Sequence, residues 1–456
     1  MLLAANPGLD INAPWLVITA SVIIILSYIC NLIARKTNIP SVLLLILMGI
    51  LIKEGLDSLE IPWLNAEDEG LVLELLGTVG LIFIVLEAAL DLKLTREKWP
   101  IIWKSFVTAL VALLLSSGAI ALIIHQFILP EATAAEGGAA WVKCFTYAIP
   151  LSIMSSAIII PSVAGLAEDP KEFMIYESTF SDILGIMFFY LLLGNADSTT
   201  GGAVAGSVVT NIALTLLLSI VVSYALSWLV QRITGNLKLF LTIACLLLLY
   251  QIGKLAHLSP LVLILVFGLM LNNPKLFWRS KLQRFVDFDR IHSVTHEFHL
   301  LTLETAFVVR TFFFVIFGIT IVLSSLLDIG IVFYSLMMVV ALYVVRLLAL
   351  LVFNKKDLFP LLYVAPRGLI TILLYFQIQG SYSEQFIPEF NQGILLFVII
   401  ATSVVMTISL IQNGLASGRE PQESEILPEN GEALPANDSD TNLAESGLEN
   451  DGNSTE

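Results

Sequence analysis

Long runs of apolar residues, separated by short polar segments, dominate the chain from residue 13 to residue 415. A helix needs about 20 apolar residues to cross the hydrocarbon core of a bilayer. With that length as the criterion, the pattern predicts thirteen membrane-spanning helices. Their approximate bounds are residues 13–34, 39–55, 70–91, 100–126, 141–166, 172–194, 204–231, 237–254, 258–273, 300–325, 328–353, 358–379 and 390–415.

The composition indicates the same class of protein. Of the 456 residues, 57% are hydrophobic and 13% are charged, and the mean hydropathy is +0.88. The chain contains no nucleotide-binding loop, zinc motif or nucleophile elbow, so it predicts neither an enzyme, a bound cofactor nor a nucleic-acid partner. The three cysteines lie in or beside apolar segments without metal-ligand spacing, and we interpret them as small core residues.

Charge is distributed unevenly along the chain. The net charge is −15, but eleven acidic residues and one arginine follow Gly418, so this terminal segment carries most of the acidity. Lys and Arg accumulate in the cytoplasmic loops of membrane proteins. Most of the Lys and Arg residues in the predicted loops lie on the cytoplasmic side when the N-terminus is placed outside and the C-terminus in the cytoplasm. We therefore expect this orientation in the cell (inner) membrane.

Two segments outside the predicted spans have a distinct composition. Residues 275–299 alternate large apolar residues with charged ones, which is typical of an amphipathic helix on the inner membrane face. A solvated loop is the alternative. Residues 416–456 contain few apolar residues, and we expect them to form a disordered, acidic cytoplasmic tail after a membrane domain at 1–415.

Two of the predicted spans contain helix-breaking residues. In span five, Pro161 lacks a backbone donor and clashes with the carbonyl four residues earlier, so we expect the helix to open there. The hydroxyls of Ser155 and Ser156 lie nearby in sequence and can satisfy freed backbone groups. In span twelve, Arg367 lies between a proline and a glycine. Both spans are therefore predicted to be interrupted inside the membrane.

The two interrupted spans occupy equivalent places if spans 1–6 and 8–13 are inverted repeats joined by span 7. Matching interruptions indicate the substrate site of a secondary transporter, because opened backbone can coordinate an ion there. Ordinary proline kinks are the alternative. The predicted fold is thus an all-α polytopic membrane protein of two six-helix inverted repeats, with broken crossing helices at spans 5 and 12.

Span six carries ionisable residues at membrane depth, where charge is costly and marks a candidate functional site. Residues four apart share a face of an α-helix, so Ser178 aligns with Asp182, and Glu177 aligns with Ser181. Oxygen ligands of this kind suit a small monovalent cation, and carbonyls of an opened helix can complete its shell. These residues predict a site for a monovalent cation or a proton at Asp182.

The order of these motifs resembles the monovalent cation/proton antiporter superfamily, and within it the sodium/proton exchangers of the Asn-Asp branch. The resemblance covers roughly residues 13–415. Its most specific element is E-S-T-F-S-D at residues 177–182, which is similar to the family pattern E-S-x-x-N-D. Residues 39–49, I-P-S-V-L-L-L-I-L-M-G, and residues 83–92, F-I-V-L-E-A-A-L-D-L, are similar to two further patterns of the family.

The resemblance implies roles for these residues. Asp182 would exchange a proton for a cation, with Glu177 and Ser178 beside it. Arg367 would compensate buried negative charge and pair with Glu177. The implied assembly is a homodimer. In each protomer the core spans, residues 100–194 and 328–415, would move against the scaffold spans, residues 13–91 and 204–325.

Two positions depart from the family pattern. The Asn that precedes the key Asp is replaced by Ser181, which keeps a hydroxyl. The Thr-Asp-Pro of the first broken helix aligns with residues 159–161, so the expected contribution from that helix is a backbone carbonyl near Ile159. Because position 181 is not acidic, one titrating carboxylate lies on this face. The sequence therefore predicts an electroneutral exchange of one proton for one cation.

Three interpretations of function are open at this point. The first is exchange of a monovalent cation, with sodium expected, for protons by alternating access. The second is a channel-like or sensory membrane protein without coupled exchange, which residues 159 and 160 favour. The third is a transporter of an anionic solute bound at Arg367. Four further charged residues within spans are interpreted as structural ion pairs or gating residues: Glu87, Glu304, Arg310 and Arg346. Glu87 and Arg310 are expected to pair with each other.

Overall fold

The computed structural model describes most of the membrane domain. The described residues are 13–37, 39–58, 66–129, 137–163, 165–194, 201–232, 238–255, 260–278, 287–320, 328–355, 358–381 and 385–412. Every regular element within these ranges is a helix. The predicted tail at residues 416–456 lies outside them.

Sixteen α-helices occur in the described residues. The first eight are α1 Ala13–Thr37, α2 Ser41–Ser58, α3 Ala66–Asp91, α4 Trp99–Ile123, α5 Gly138–Ser152, α6 Ser156–Ser162, α7 Glu168–Leu193 and α8 Gly201–Arg232. The other eight are α9 Lys238–Leu255, α10 Pro260–Asn272, α11 Pro274–Phe277, α12 Phe288–Thr320, α13 Ile329–Phe353, α14 Leu358–Leu361, α15 Leu369–Ser381 and α16 Gln392–Gln412. A π-helical turn, Ile124–Ile128, extends α4.

Each of the thirteen predicted spans corresponds to one helix or to one interrupted helix. Helices α5 and α6 form span five, and α14 and α15 form span twelve. Six described segments are long and apolar enough to cross a membrane: Trp99–Ile128, Gly138–Ser162, Glu168–Leu193, Arg290–Thr320, Ile329–Phe353 and Gln392–Gln412. Shorter apolar helices lie at most of the other predicted spans. The all-α polytopic membrane fold is therefore confirmed.

The break in span five lies earlier than the sequence predicts. Helix α5 ends at Ser152, residues 153–155 are not helical, and α6 begins at Ser156. Pro161, the predicted breaker, lies inside α6, one residue before its end. The helix opens where side chains of α7 accept hydrogen bonds from the freed backbone N–H groups, and such partners cannot be read from the local sequence.

The break in span twelve lies where the sequence predicts it. Residues 362–368, between α14 and α15, are not helical. The two breaks meet, because the backbone N–H of Ser155 donates to the carbonyl of Pro366 at 3.0 Å. A Cβ atom at Gly368 would lie 2.8 Å from the Cβ of Ser155, so this contact requires glycine. The broken helices therefore cross in direct contact.

Two sets of helices pack around this crossing. Helix α4 packs against α5, α7 and α13, and α13 also packs against α16. In the other set, α2 packs against α12, and α8 packs against α10. Helix α15 packs against α5 of the first set. Helix α3 contacts α10 and α12 of the second set and also α15. The backbones of α2 and α12 approach closely, since a Cβ at Gly49 would lie 2.8 Å from the Cα of Gly318.

In its described residues 287–299, the predicted amphipathic segment is not a separate surface helix. Its second half forms the first turns of α12, which continues without interruption into span ten. The apolar side chains Ile291, Val294 and Phe298 are buried, whereas His292 is exposed. The alternation of polar and apolar residues is therefore real, but it belongs to the end of a long spanning helix.

Candidate ion-binding site

Four of the buried polar side chains of α7 lie in the region of the first break. Glu177, Ser178, Ser181 and Asp182 are each no more than 2% exposed. The helix approaches the break closely because Gly185 has no side chain. A Cβ atom at that position would overlap with the side chain of a residue in the break, Ile153.

Asp182 binds the break through one of its two carboxylate oxygens. Oδ2 accepts a hydrogen bond from the backbone N–H of Ser156 at 3.2 Å. Oδ1 is buried and has no hydrogen-bond partner among the described residues. A buried polar atom without a partner costs free energy. Oδ1 is therefore a buried acceptor that is not used by any described residue.

The hydroxyl groups beside Asp182 have different partners. Ser181 Oγ accepts a hydrogen bond from the backbone N–H of Met154 at 3.0 Å, so it also holds the break. Ser178 lies one turn before Asp182, as the sequence predicts, but its hydroxyl donates to the carbonyl of Ile175 in its own helix at 3.2 Å. Ser181 and Asp182 therefore satisfy the opened backbone together.

The first break brings Ser155 and Ser156 to the site, and not Ile159. Both serines are 4% exposed and lie at the start of α6. Ile159 lies within the regular part of α6, where its carbonyl accepts a hydrogen bond from the N–H of Val163 at 3.0 Å. The expected contribution of a carbonyl near Ile159 is therefore corrected, because the opened backbone is at residues 153–155.

Glu177 pairs with Arg346 of α13, and not with Arg367 as the resemblance implies. Nη1 and Nη2 of Arg346 donate to the two carboxylate oxygens at 3.1 and 3.3 Å, and both side chains are almost fully buried. The same guanidinium donates to the carbonyl of Leu361 at 3.0 and 2.8 Å and contacts the sulfur of Met154 at 3.0 Å. Arg346 thus joins α7, α13, α14 and the first break.

Arg367 lies in the second break, and its side chain donates to backbone oxygens. Nε donates to the carbonyl of Leu151 at 2.8 Å, and Nη1 donates to the carbonyl of Ala365 at 3.2 Å. Its backbone N–H donates to Thr402 Oγ1 of α16 at 3.1 Å. The C-terminal end of a helix carries partial negative charge. Arg367 therefore compensates the open end of α5.

A small polar cavity lies beside these groups. Its volume is about 10 Å³, and its polar lining consists of Ser116, Ser152, Ser181, Arg346 and Arg367. This is about the space that one water molecule needs, and such a water requires two to four polar partners. Two guanidinium groups disfavour a cation in this cavity. The cavity is therefore suited to a water molecule and not to a cation.

Two further pairs of polar side chains join α3 and α12. Arg310 Nη2 donates to the two oxygens of Glu87 at 3.1 and 2.8 Å, which is the pair that the sequence predicts. Asp91 Oδ1 lies 2.7 Å from His299 Nε2, a contact that the sequence analysis missed. Glu304 is exposed and has no ion pair with a described residue. Of the four predicted ion-pair residues, Glu87 and Arg310 pair with each other, Arg346 pairs with Glu177, and Glu304 is exposed.

The fold and the site define a class of protein: a multi-pass membrane protein whose two interrupted helices cross beside a buried acid, as in secondary transporters. A family model described as the transmembrane sodium/hydrogen exchanger matches residues 21–412. The match covers most of the chain, and the chain therefore belongs to the sodium/hydrogen exchanger family. That description is of a transporter and not of an enzyme.

Solved structures share this fold. The sodium proton antiporter MjNhaP1 from Methanocaldococcus jannaschii at pH 8 is 19% identical, with a TM-score of 0.63, and the match covers 88% of this chain and 97% of that chain. An electron-microscopy map of MjNhaP1 gives 18% identity, a TM-score of 0.60, and coverage of 89% and 98%. No curated protein matches the chain.

Proposed function

We propose that the chain exchanges sodium for protons across the membrane by alternating access at Asp182. The observation that carries this proposal is Oδ1 of Asp182, a buried carboxylate oxygen without a partner at the crossing of two broken helices. A proton or a cation satisfies this atom, and the two compete because both need the same oxygen. Membership of the sodium/hydrogen exchanger family supports the identity of both ions.

The proposed stoichiometry is one proton for one cation. Glu177 and Asp182 are the two buried acids of α7. Glu177 is neutralised by Arg346 and position 181 is a serine, so Asp182 is the buried acid that can exchange a proton for a cation. The site is neutral with a proton and neutral with a monovalent cation. No net charge then crosses the membrane in a cycle, and the exchange is electroneutral.

The proposed movement follows the resemblance. The core spans would move against the scaffold spans and expose Asp182 to the two sides in turn, in a homodimer with an outside N-terminus and a cytoplasmic C-terminus. The contacts of α3 with α15 lie between the two groups. The arrangement of Arg367 does not support an anion site, because its Nε and Nη1 are used by backbone carbonyls.

Transport by the purified protein in proteoliposomes tests this proposal. With an imposed pH gradient and a pH-sensitive dye inside, addition of sodium or lithium is expected to move protons, and clamping the membrane potential is expected to leave the rate unchanged. Asp182→Asn is expected to lower the rate by at least about a hundredfold, because an amide neither titrates at neutral pH nor neutralises a cation.

Asp169→Asn is the matched control, since Asp169 is exposed in the first turn of the same helix. Its rate is expected to equal that of the wild type. Full activity of Asp182→Asn would refute the role of Asp182. A sodium-dependent current in the wild type would refute the stoichiometry, and a response to organic anions alone would favour the anion transporter instead.

A further inference from the structure

A buried donor without a described partner lies on α12, which packs against α3, and α3 in turn packs against α7. The exchange proposed above does not use this donor. Arg310 Nε on α12 is buried and has no hydrogen-bond partner among the described residues. It is complementary to Oδ1 of Asp182, a buried acceptor that also lacks a described partner. The donor belongs to the scaffold spans and the acceptor to the core spans.

The pair of Arg310 with Glu87 is less completely engaged than a paired arginine can be. A guanidinium binds a carboxylate most strongly through two nitrogens and two oxygens in parallel. Arg310 uses one nitrogen, Nη2, for both oxygens of Glu87. Its side chain is 19% exposed and that of Glu87 is 15% exposed, so neither is locked in the protein interior. Arg310 can therefore change partner at a modest cost.

The other arginines near Asp182 are already engaged. Arg346 donates to Glu177 and to a carbonyl, and Arg367 donates to two carbonyls. Arg310 is held by Glu87 of α3, and α3 packs against both α12 and α7. The cation available to an empty, charged Asp182 is therefore Arg310, on the opposite side of the boundary between core and scaffold.

We propose that Arg310 couples the two ion movements by binding Asp182 whenever Asp182 is empty and charged. This inference rests on the proposed sodium/proton exchange. The Arg310–Asp182 pair would tie the core spans to the scaffold spans, so an unloaded carrier would not cross. A proton or a sodium ion on Asp182 neutralises the carboxylate, returns Arg310 to Glu87 and releases the core spans. Arg310 is thus a positioning residue that touches neither ion.

The test compares sodium and proton fluxes of Arg310→Gln in the same proteoliposomes. Without the Arg310–Asp182 pair, the core spans can move while Asp182 is empty. Sodium then leaves the vesicles without an equal movement of protons. The ratio of sodium moved to protons moved is expected to rise about tenfold above the wild-type ratio, a shift in the population of the mobile empty carrier. An imposed membrane potential is expected to drive this flux. Arg310→Lys keeps the charge and is expected to restore the wild-type ratio.

Arg290→Gln is the matched control, because Arg290 lies on the same helix, is exposed, and pairs with Asp287 at 3.2 Å. Its ratio is expected to equal that of the wild type. In a second variant, Glu87→Gln, residue 87 no longer competes with Asp182 for Arg310, so the Arg310–Asp182 pair becomes more stable. This variant is expected to slow the exchange about tenfold while the ratio stays at the wild-type value, which remains informative if Arg310→Gln does not fold.

Three outcomes would overturn the inference. A folded Arg310→Gln variant with the wild-type ratio shows that Arg310 does not couple the fluxes. An undiminished rate in Glu87→Gln shows that no competing Arg310–Asp182 pair exists. Equal loss of folded protein in both variants, with an unchanged ratio in what remains, shows a structural pair only. Failure of the wild type to exchange would instead refute the proposed function, so the two failures are distinguishable.

Discussion

Glu177 and Asp182 are both buried on α7, but their surroundings differ. Each oxygen of Glu177 accepts a hydrogen bond from Arg346, which in turn binds a carbonyl and a sulfur. Asp182 has one hydrogen bond from a backbone N–H and one oxygen without a described partner. A fully paired acid holds helices together, whereas an incompletely paired acid keeps its capacity for an ion. Burial alone therefore does not identify the ion ligand.

Arg346→Gln gives the largest expected effect on stability. It leaves Glu177 buried without its cation, and breaking a buried pair in this way costs about 3–5 kcal/mol. Thermal unfolding of the detergent-solubilised protein measures the loss. Arg290→Gln, at an exposed position, is expected to stay within about 0.5 kcal/mol of the wild type. Asp182→Asn is expected to be as stable as the wild type, and a loss equal to that of Arg346→Gln would remove the contrast between the two acids.

Gly368→Val tests the contact between the two broken helices, beside which both acids lie. The added side chain meets Ser155 of the other break, and overpacking of this kind costs about 1–3 kcal/mol. Gly118→Val is the control, because no atom lies within 4 Å of a Cβ at Gly118. Thermal unfolding measures both variants. If Gly368→Val is as stable as Gly118→Val, the contact between the broken helices accommodates a larger side chain without loss of stability.

Ser181→Ala tests whether the neighbour of Asp182 supports the break. The backbone N–H of Met154 loses its acceptor, which is expected to cost about 1 kcal/mol. Ser117→Ala is matched, since Ser117 is also buried and donates only within its own helix. Urea or thermal unfolding gives the difference between the two variants. If the two losses are the same, Ser181 does not hold the break, and Asp182 supports it alone.

The smallest expected effect concerns the exposed pair of Lys98 and Glu172. The hydrogen bond with Glu172 raises the pKa of Lys98 above its ordinary value of 10.5. A raised pKa means that this contribution to stability is complete below 10.5 and disappears as the pH rises through the raised pKa. The difference in melting temperature between the wild type and Glu172→Gln is expected to be small at pH 7 and to vanish at strongly alkaline pH. A difference that grows with pH would contradict this assignment.

The sequence predicts the thirteen spans and the second break, because both depend on local signals. The length of an apolar run predicts a spanning helix. Pro366 and Gly368 lie in the non-helical segment that separates α14 from α15, so the break occurs at the helix-breaking residues themselves. The predicted position of the first break is wrong because the break depends on Ser181 and Asp182 of another helix. A proline such as Pro161 is tolerated within α6.

The predicted partner of Glu177 is also wrong, because the pairing does not depend on the local sequence. Arg346 and Arg367 both lie in apolar spans, and their order along the chain contains no information on which one reaches Glu177. The pairing depends on how α13 and α14 pack against α7. Glu87 and Arg310, by contrast, are the pair that the sequence predicts from the proposed packing of their spans. The identity of Asp182 as the ion ligand stays a prediction.

The crossing of the two breaks has a consequence for the synthesis of the chain. Glu177 and Arg346 are 169 residues apart, and Leu151 and Arg367 are 216 residues apart. Translation proceeds at about 5–20 residues per second, so α7 is made on the order of ten seconds before Arg346. Helix α7 is also the least apolar of the six long spanning segments, with a mean hydropathy of 1.3. The site is therefore among the last parts of the protein to assemble, and α7 enters the bilayer before its partners exist.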